Sequence, residues 1–153
     1  MNLTRSFTLR ELTKSPNALR LGISNEPGPN YINNLRLLAT HVLQPIRDHF
    51  NLPVTVLSGY RGAELNRAVG GTSTSQHLWG QAADIEIQGV HNAEVWRWVV
   101  NNLEFDQCIA EYLEMDDPAA GWVHVSYKSK GNRGQDLSCV GQHDFRGGLH
   151  YVA

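Results

Sequence analysis

From Tyr31 to Phe50 the apolar positions Ile32, Leu35, Leu38, Ala39, Val42, Ile46 and Phe50 recur at near-helical spacing. Such a stripe predicts an amphipathic helix laid on a core. Pro45 sits inside it without an N–H to donate, so a bend or break is expected near His41 to Gln44. Asn92 to Leu103 reads as a second core helix, with Val95, Trp96, Val99 and Leu103 on one face. Two shorter starts precede them. Thr8-Leu9-Arg10-Glu11 has the form of a capping box, opening a helix that ends near Ser15. Ser15-Pro16-Asn17-Ala18 offers a second cap with proline at the first helical position.

The β-pattern falls in short runs at Val54 to Leu57, Ala82 to Ile87, Gln107 to Tyr112 and Trp122 to Tyr127. Ala63 to Val69 predicts a helical turn, Lys128 to Val140 a loop, and Leu149 to Val152 a last edge strand. No repeat or linker divides residues 1–153, so one domain is expected. The fold class is α+β, a small, mostly antiparallel sheet flanked by helices.

Alternation along the strands carries the chemistry. Side chains on a strand point to alternate faces. Trp122, His124 and Ser126 therefore share one face, and Val123, Val125 and Tyr127 the other. Ala82, Asp84 and Glu86 likewise oppose Ala83, Ile85 and Ile87. One face belongs to a core and the other to a cleft. Between His77 and Asp84 an extended chain would span roughly 23–25 Å, too far for two ligands of one ion. A bend is needed, and Gly80 is its natural place. Two histidines and an aspartate are the donor types of a catalytic zinc site, which keeps one position open for water.

Composition narrows the options. Hydrophobic content is 41% and charged content 18%, ordinary for a globular chain, and the formal charge is −2. A general affinity for polyanions does not follow, so nucleic acid is not expected as a partner. No apolar run approaches the roughly 20 residues of a membrane span. The opening residues lack the apolar stretch of a signal peptide, so synthesis in the cytoplasm is expected. Cys108 and Cys139 are expected to be free thiols, Cys108 in a buried strand.

Three segments, Ser58-Gly59-Tyr60-Arg61, Ser75-x-His77-x-x-Gly80-x-Ala82-x-Asp84 and Trp122-Val123-His124-Val125-Ser126, resemble the zinc D-Ala-D-Ala carboxypeptidase superfamily, peptidase family M15. The resemblance is strongest to its phage-type peptidoglycan-cleaving members and runs from about residue 7 to 127. It implies zinc held by His77, Asp84 and His124, and the fold shared with the signalling domain of hedgehog proteins. It also implies a peptidoglycan stem peptide as substrate. The cut would be a D-Ala-D-Ala carboxypeptidase cut or an endopeptidase cut such as that between L-Ala and D-Glu, as in an endolysin. Many relatives carry a Glu three residues before the last histidine, where this chain has Gly121. Glu111, at the end of the preceding strand, is the candidate base.

Arg61 is the candidate for stabilising an oxyanion or holding a substrate carboxylate; the alternative is a surface pair with Glu64. Ser75, Trp79 and Trp122 are candidate substrate contacts, although Ser75 equally suits a local turn. Glu114, Asp116 and Asp117 read as solvated loop carboxylates, and the remaining histidines, His143 included, as non-ligands. Two functions follow: a monomeric zinc peptidase acting on the cell wall, phage-encoded or virion-delivered, or a metal-holding module that recognises wall or virion without chemistry.

Overall fold

The structure, a computed structural model, describes residues 1–152. Thr8 caps α1 (Leu9–Thr13) through a complete capping box with Glu11, and Ser15 caps α2 (Pro16–Leu21) with Pro16 in its first turn. The long stripe becomes α3 (Pro29–Leu38), a π-helical turn at Ala39–Leu43 and α4 (Gln44–Phe50). Pro45 does not break the helix. The wide turn lies directly ahead of it, with the Gln44 N–H reaching back to the Ala39 carbonyl, and loosens the ladder where the proline ring needs room. Leu35, Leu38, Val42 and Ile46 are fully buried, so the stripe does face a core.

β1 (Thr55–Ser58) and α5 (Ala63–Ala68) follow, then a 3₁₀ turn at Gln76–Trp79 leading into β2 (Ala82–Glu86). The helix α6 (Asn92–Asn102) precedes β3 (Gln107–Glu111) and β4 (Trp122–Ser126). Two further strands, β5 (Gln135–Cys139) and β6 (Phe145–Gly147), complete a six-stranded sheet of order β1-β2-β4-β3-β5-β6. Every pairing is antiparallel except β3 with β5. The architecture is α+β, a mostly antiparallel sheet with helices beside it.

The C-terminal part differs from the sequence expectation. The loop expected over Lys128 to Val140 contains β5, and the edge strand expected at Leu149 to Val152 lies instead at Phe145–Gly147. Gln-Asp-Leu-Ser-Cys has little β-propensity; its strand state comes from pairing on both sides, with β3 and with β6. The Trp96 indole N–H adds a tie, donating to the carbonyls of Cys108 and Leu137 at 3.1 Å each. Leu149 and Tyr151 pack against the core without pairing as a strand.

The two faces of the sheet divide as the alternation predicts. Ala83, Ile85, Cys108, Ala110, Val123 and Val125 are buried in the core. Asp84, Gln107, Ile109, Glu111, Trp122 and His124 line a cleft on the opposite side. Both cysteines are free. Among the described residues no helix is long and apolar enough to cross a membrane.

Asp106, fully buried just ahead of β3, joins distant parts of the chain. It accepts from Gln76 Nε2 at 3.0 Å, and from the Arg133 backbone N–H, Nε and Nη2 at 3.0, 3.0 and 2.7 Å. Burial alone would raise its carboxyl, but Arg133 and Lys128 lower it to about 2. An unfolded aspartate titrates near 3.9. The folded value is depressed, so the ionised group stabilises the fold above about pH 4, and this contribution fades as pH falls toward 2. Its size is about 2 kcal/mol. Asp106→Asn is expected to lower stability by about 2–4 kcal/mol at neutral pH. In denaturant titrations the gap to the unaltered protein should shrink between about pH 5 and 2; a gap independent of pH would refute the assignment.

Candidate active site

The first ligand turn is shaped by close approach. Gly80 has φ +70°, and a Cβ there would stand 2.7 Å from the Tyr31 carbonyl oxygen, so only glycine closes the 3₁₀ turn against α3. This is the bend that the separation of His77 and Asp84 requires. Ser75 caps the turn, its Oγ accepting from the His77 N–H at 3.3 Å. This is the local turn expected of Ser75, which also lines the cleft.

Next to β1 the chain makes a bulge: Val56 pairs with Ile85 and Ser58 with Asp84, leaving Leu57 extra. Past this bulge, the Gly59 carbonyl accepts from His77 Nδ1 at 2.7 Å and the Arg61 N–H donates to the His77 carbonyl at 3.0 Å. The first bond fixes the tautomer, leaving His77 Nε2 as a lone pair aimed at Asp84. Across the sheet, β2 and β4 place Asp84 directly opposite His124.

His77 Nε2 stands 3.4 Å from Asp84 Oδ2, and His124 Nδ1 3.0 Å from Asp84 Oδ1. The three ligating atoms lie within 4.8 Å of one another. Ligands about 2.0–2.1 Å from a tetrahedral divalent ion stand about 3.3 Å apart, close to the two distances from Asp84, so the set could hold one ion. Electrostatics favour the ligating forms of Asp84 and His77. Burial opposes ionisation of Asp84, yet His77 and the hydrogen bond from His124 hold its carboxyl well below the usual carboxylate range. Burial pushes His77 down, toward the neutral form that a ligand needs. For His124, burial pulls down, but the bond to Asp84 and its charge raise it overall.

Glu111 stands beside this set, Oε1 being 3.8 Å from His124 Nδ1. Burial raises its carboxyl, with Asp84 adding and His124, Trp122 and Arg61 opposing. The Trp122 indole N–H lies near enough to favour the carboxylate without making a hydrogen bond of good geometry. Arg61 lines the same cleft: burial weakens its charge, and Asp84 and Glu111 restore it. Its Nε is buried with no protein partner, and Nη2 reaches only the Ser75 hydroxyl at 3.5 Å. Among the described residues it forms no ion pair with Glu64.

Position 121 explains the missing upstream glutamate. Gly121 has φ +69°, and a Cβ there would meet the Glu111 carbonyl oxygen at 2.1 Å. No side chain fits, so no carboxylate reaches the site from that position.

The cleft, of about 790 Å³, is lined by Arg61, Ser75, His77, Asp84, Glu111, Trp122 and His124 among others. Trp79 is the one candidate outside it: exposed, it packs edge-on to Tyr31 while its carbonyl accepts from Asn34. Glu114, Asp116 and Asp117 lie exposed in the connecting loop. His91 caps α6 and bonds the Met115 carbonyl, while His41 and His49 stack on Tyr127 and Trp98. Sequence reasoning missed Gln107, Tyr112, Arg133, His143 and Phe145 as cleft residues. Three of these lie in or beside the unrecognised strands, and no spacing rule links Arg133 to its partner Asp106.

The family model described as peptidase M15 matches residues 5–126. The chain belongs to the M15 peptidase family. No curated protein matches it.

Two outcomes test this geometry. His77→Ala is expected to weaken divalent-metal binding by more than the roughly 10–100-fold that outer-shell losses cost; full metal stoichiometry in that variant by elemental analysis would refute the ligand set. Gly121→Ala is expected to destabilise by about 3 kcal/mol in denaturant unfolding, from the positive φ and the backbone clash together. A neutral result would mean that the β3–β4 connection is placed wrongly.

Proposed function

We infer that the protein is a zinc-dependent peptidase that hydrolyses an amide bond in the peptidoglycan stem peptide. What supports the reading most is the standing of one carboxylate, Glu111, 3.8 Å from His124, outside the ligand trio yet on the same face of the sheet. A trio alone would describe a metal store. A trio with an adjacent carboxylate and a half-buried guanidinium matches the needs of amide hydrolysis.

Bound by His77, Asp84 and His124, zinc would supply Lewis-acid polarisation of the scissile carbonyl and acidify a water. Glu111 would accept a proton from the attacking water and return it to the departing amine nitrogen; burial raises its affinity for a proton, which suits both halves of the transfer. Arg61 stabilises the negative charge that develops on the carbonyl oxygen, using N–H groups that have little else to bond. Gly59 holds the His77 ring in place, and Ser75 holds its turn. Trp122 forms a wall, its ring centroid 5.6 Å from that of Tyr112.

The cleft continues well beyond the ligands along β3. Such length suits a peptide with residues on both sides of the cut, and favours an endopeptidase over removal of a terminal D-Ala. The case for a non-catalytic module rested on the absent glutamate at 121, and loses force because a carboxylate arrives from β3. An endolysin-like enzyme of phage origin, reaching the wall on release or with a virion, is the setting that fits.

Mass analysis of fragments released from purified peptidoglycan tests the reading and identifies the bond. Glu111→Gln is expected to retain zinc while losing about 10²–10⁴-fold in turnover. An unaltered protein that releases nothing with zinc present would refute the activity; near-normal turnover in Glu111→Gln would refute the base.

A further inference from the structure

The family match ends at Ser126, yet the chain beyond it supplies part of the cleft wall, including Arg133 and Phe145. Arg133 is held rather than draped over the surface. Its Nε and Nη2 grip the two oxygens of Asp106, a fully buried carboxylate that also takes Gln76 from the ligand turn. The side chain nevertheless remains 45% exposed, and among the described residues Nη1 has no hydrogen-bond partner. One edge of the guanidinium is fixed and the other is open in the cleft.

Charge favours an anion there. Lys128 Nζ stands 3.6 Å from Asp106, so one buried carboxylate answers two cations and leaves the cluster with a positive charge. Among the described residues lining the cleft, the acids are Asp84 and Glu111, both at the metal-ligand end. Gln76, which shares Asp106 with Arg133, and Gln107, next to Asp106 in the chain, are neutral amides that also line the cleft.

Distance places this cation along a bound chain. Gln107, Ile109 and Glu111 alternate on one face of β3 and all line the cleft, so the cleft follows the strand. Four strand steps separate Glu111 from Gln107, about 13 Å, which an extended peptide covers in about four residues.

We propose that Arg133 is a specificity-determining residue, its open edge pairing with a carboxylate of the peptide about four residues from the scissile bond. The preferred substrate is therefore an acidic peptide. This rests on the peptidase reading insofar as the cleft takes a peptide. An arginine already locked on one side loses little freedom on pairing, and its planar fork matches a carboxylate.

The test is binding, separate from turnover. Isothermal titration calorimetry with Glu111→Gln protein compares synthetic stem peptides that differ only in carrying acidic side chains as free carboxyls or as carboxamides. The acid form is expected to bind roughly tenfold tighter. Arg133→Gln should erase the difference while leaving carboxamide affinity within about twofold, and Arg133→Lys, which keeps a cation on Asp106, should retain part of it. Equal affinity for the two forms while Arg133 is present overturns the proposal, without any need for a folded Arg133 variant. An equal loss for both forms on Arg133→Gln overturns it as well. Acid-selective binding by a protein that, with Glu111 intact, cuts no wall peptide would support the role of Arg133 and refute the peptidase reading.

Discussion

Two hydrogen bonds between His77 and the turn after β1 govern the site. The imidazole donates to the Gly59 carbonyl and the His77 carbonyl accepts from Arg61. Each bond is worth only about a kilocalorie per mole in net stability, but their geometric effect is larger. One sets which ring nitrogen is free and where it points; the other brings the guanidinium of Arg61 to the same place. The motif Ser58-Gly59-Tyr60-Arg61 and the motif around His77 are thus two halves of one device. Neither half could be read from its own spacing, since the contact spans eighteen residues of chain.

Gathering two imidazoles and a carboxylate in a buried place would be costly in isolation. An unpaired buried ion costs several kilocalories per mole, comparable with the burial of two or three large apolar side chains. Here the groups compensate one another in part: Asp84 accepts from His124, and His77 Nε2 lies 3.4 Å from its other oxygen, where a shared cation would answer both. The opposite face of the same strands supplies the apolar surface, through Ala83, Ile85, Val123 and Val125. Strand alternation lets four consecutive residue pairs serve stability and chemistry at once.

The sequence made the central part of this legible, for a physical reason. Helix stripes, caps and period-two alternation are local, and the elements from Leu9 to Ser126 lie close to where those signals place them. The trio could be named because residue type and face parity both restrict the choice. β5 and β6 were illegible because their strand state depends on partners far along the chain: Gln-Asp-Leu-Ser-Cys gains its ladder only once β3 is beside it. Aromatic character says what the Trp79 ring could contact and not where it lies, which is against Tyr31 and outside the cleft lining. The pairing of Asp106 with Arg133 left no local trace at all.

Register also explains how a candidate base, Glu111, can come from β3 rather than from the start of β4. Directly paired residues on neighbouring strands point to the same face. Asp84 pairs with His124, Ile109 pairs with His124 from the other side, and Glu111 pairs with Trp122. His124 and Trp122 share a face, so Gln107, Ile109 and Glu111 must share it too. Of these three only Glu111 ionises. A carboxylate placed before β4 would have to rise from a backbone at φ +69° pressed against the Glu111 carbonyl, which excludes it. One placed on β3 needs no unusual backbone, only the correct parity. A carboxylate beside the trio could arise from either of two places in the sheet. In this chain the close packing of the β3–β4 connection blocks one, and the pairing that produces that packing supplies the other.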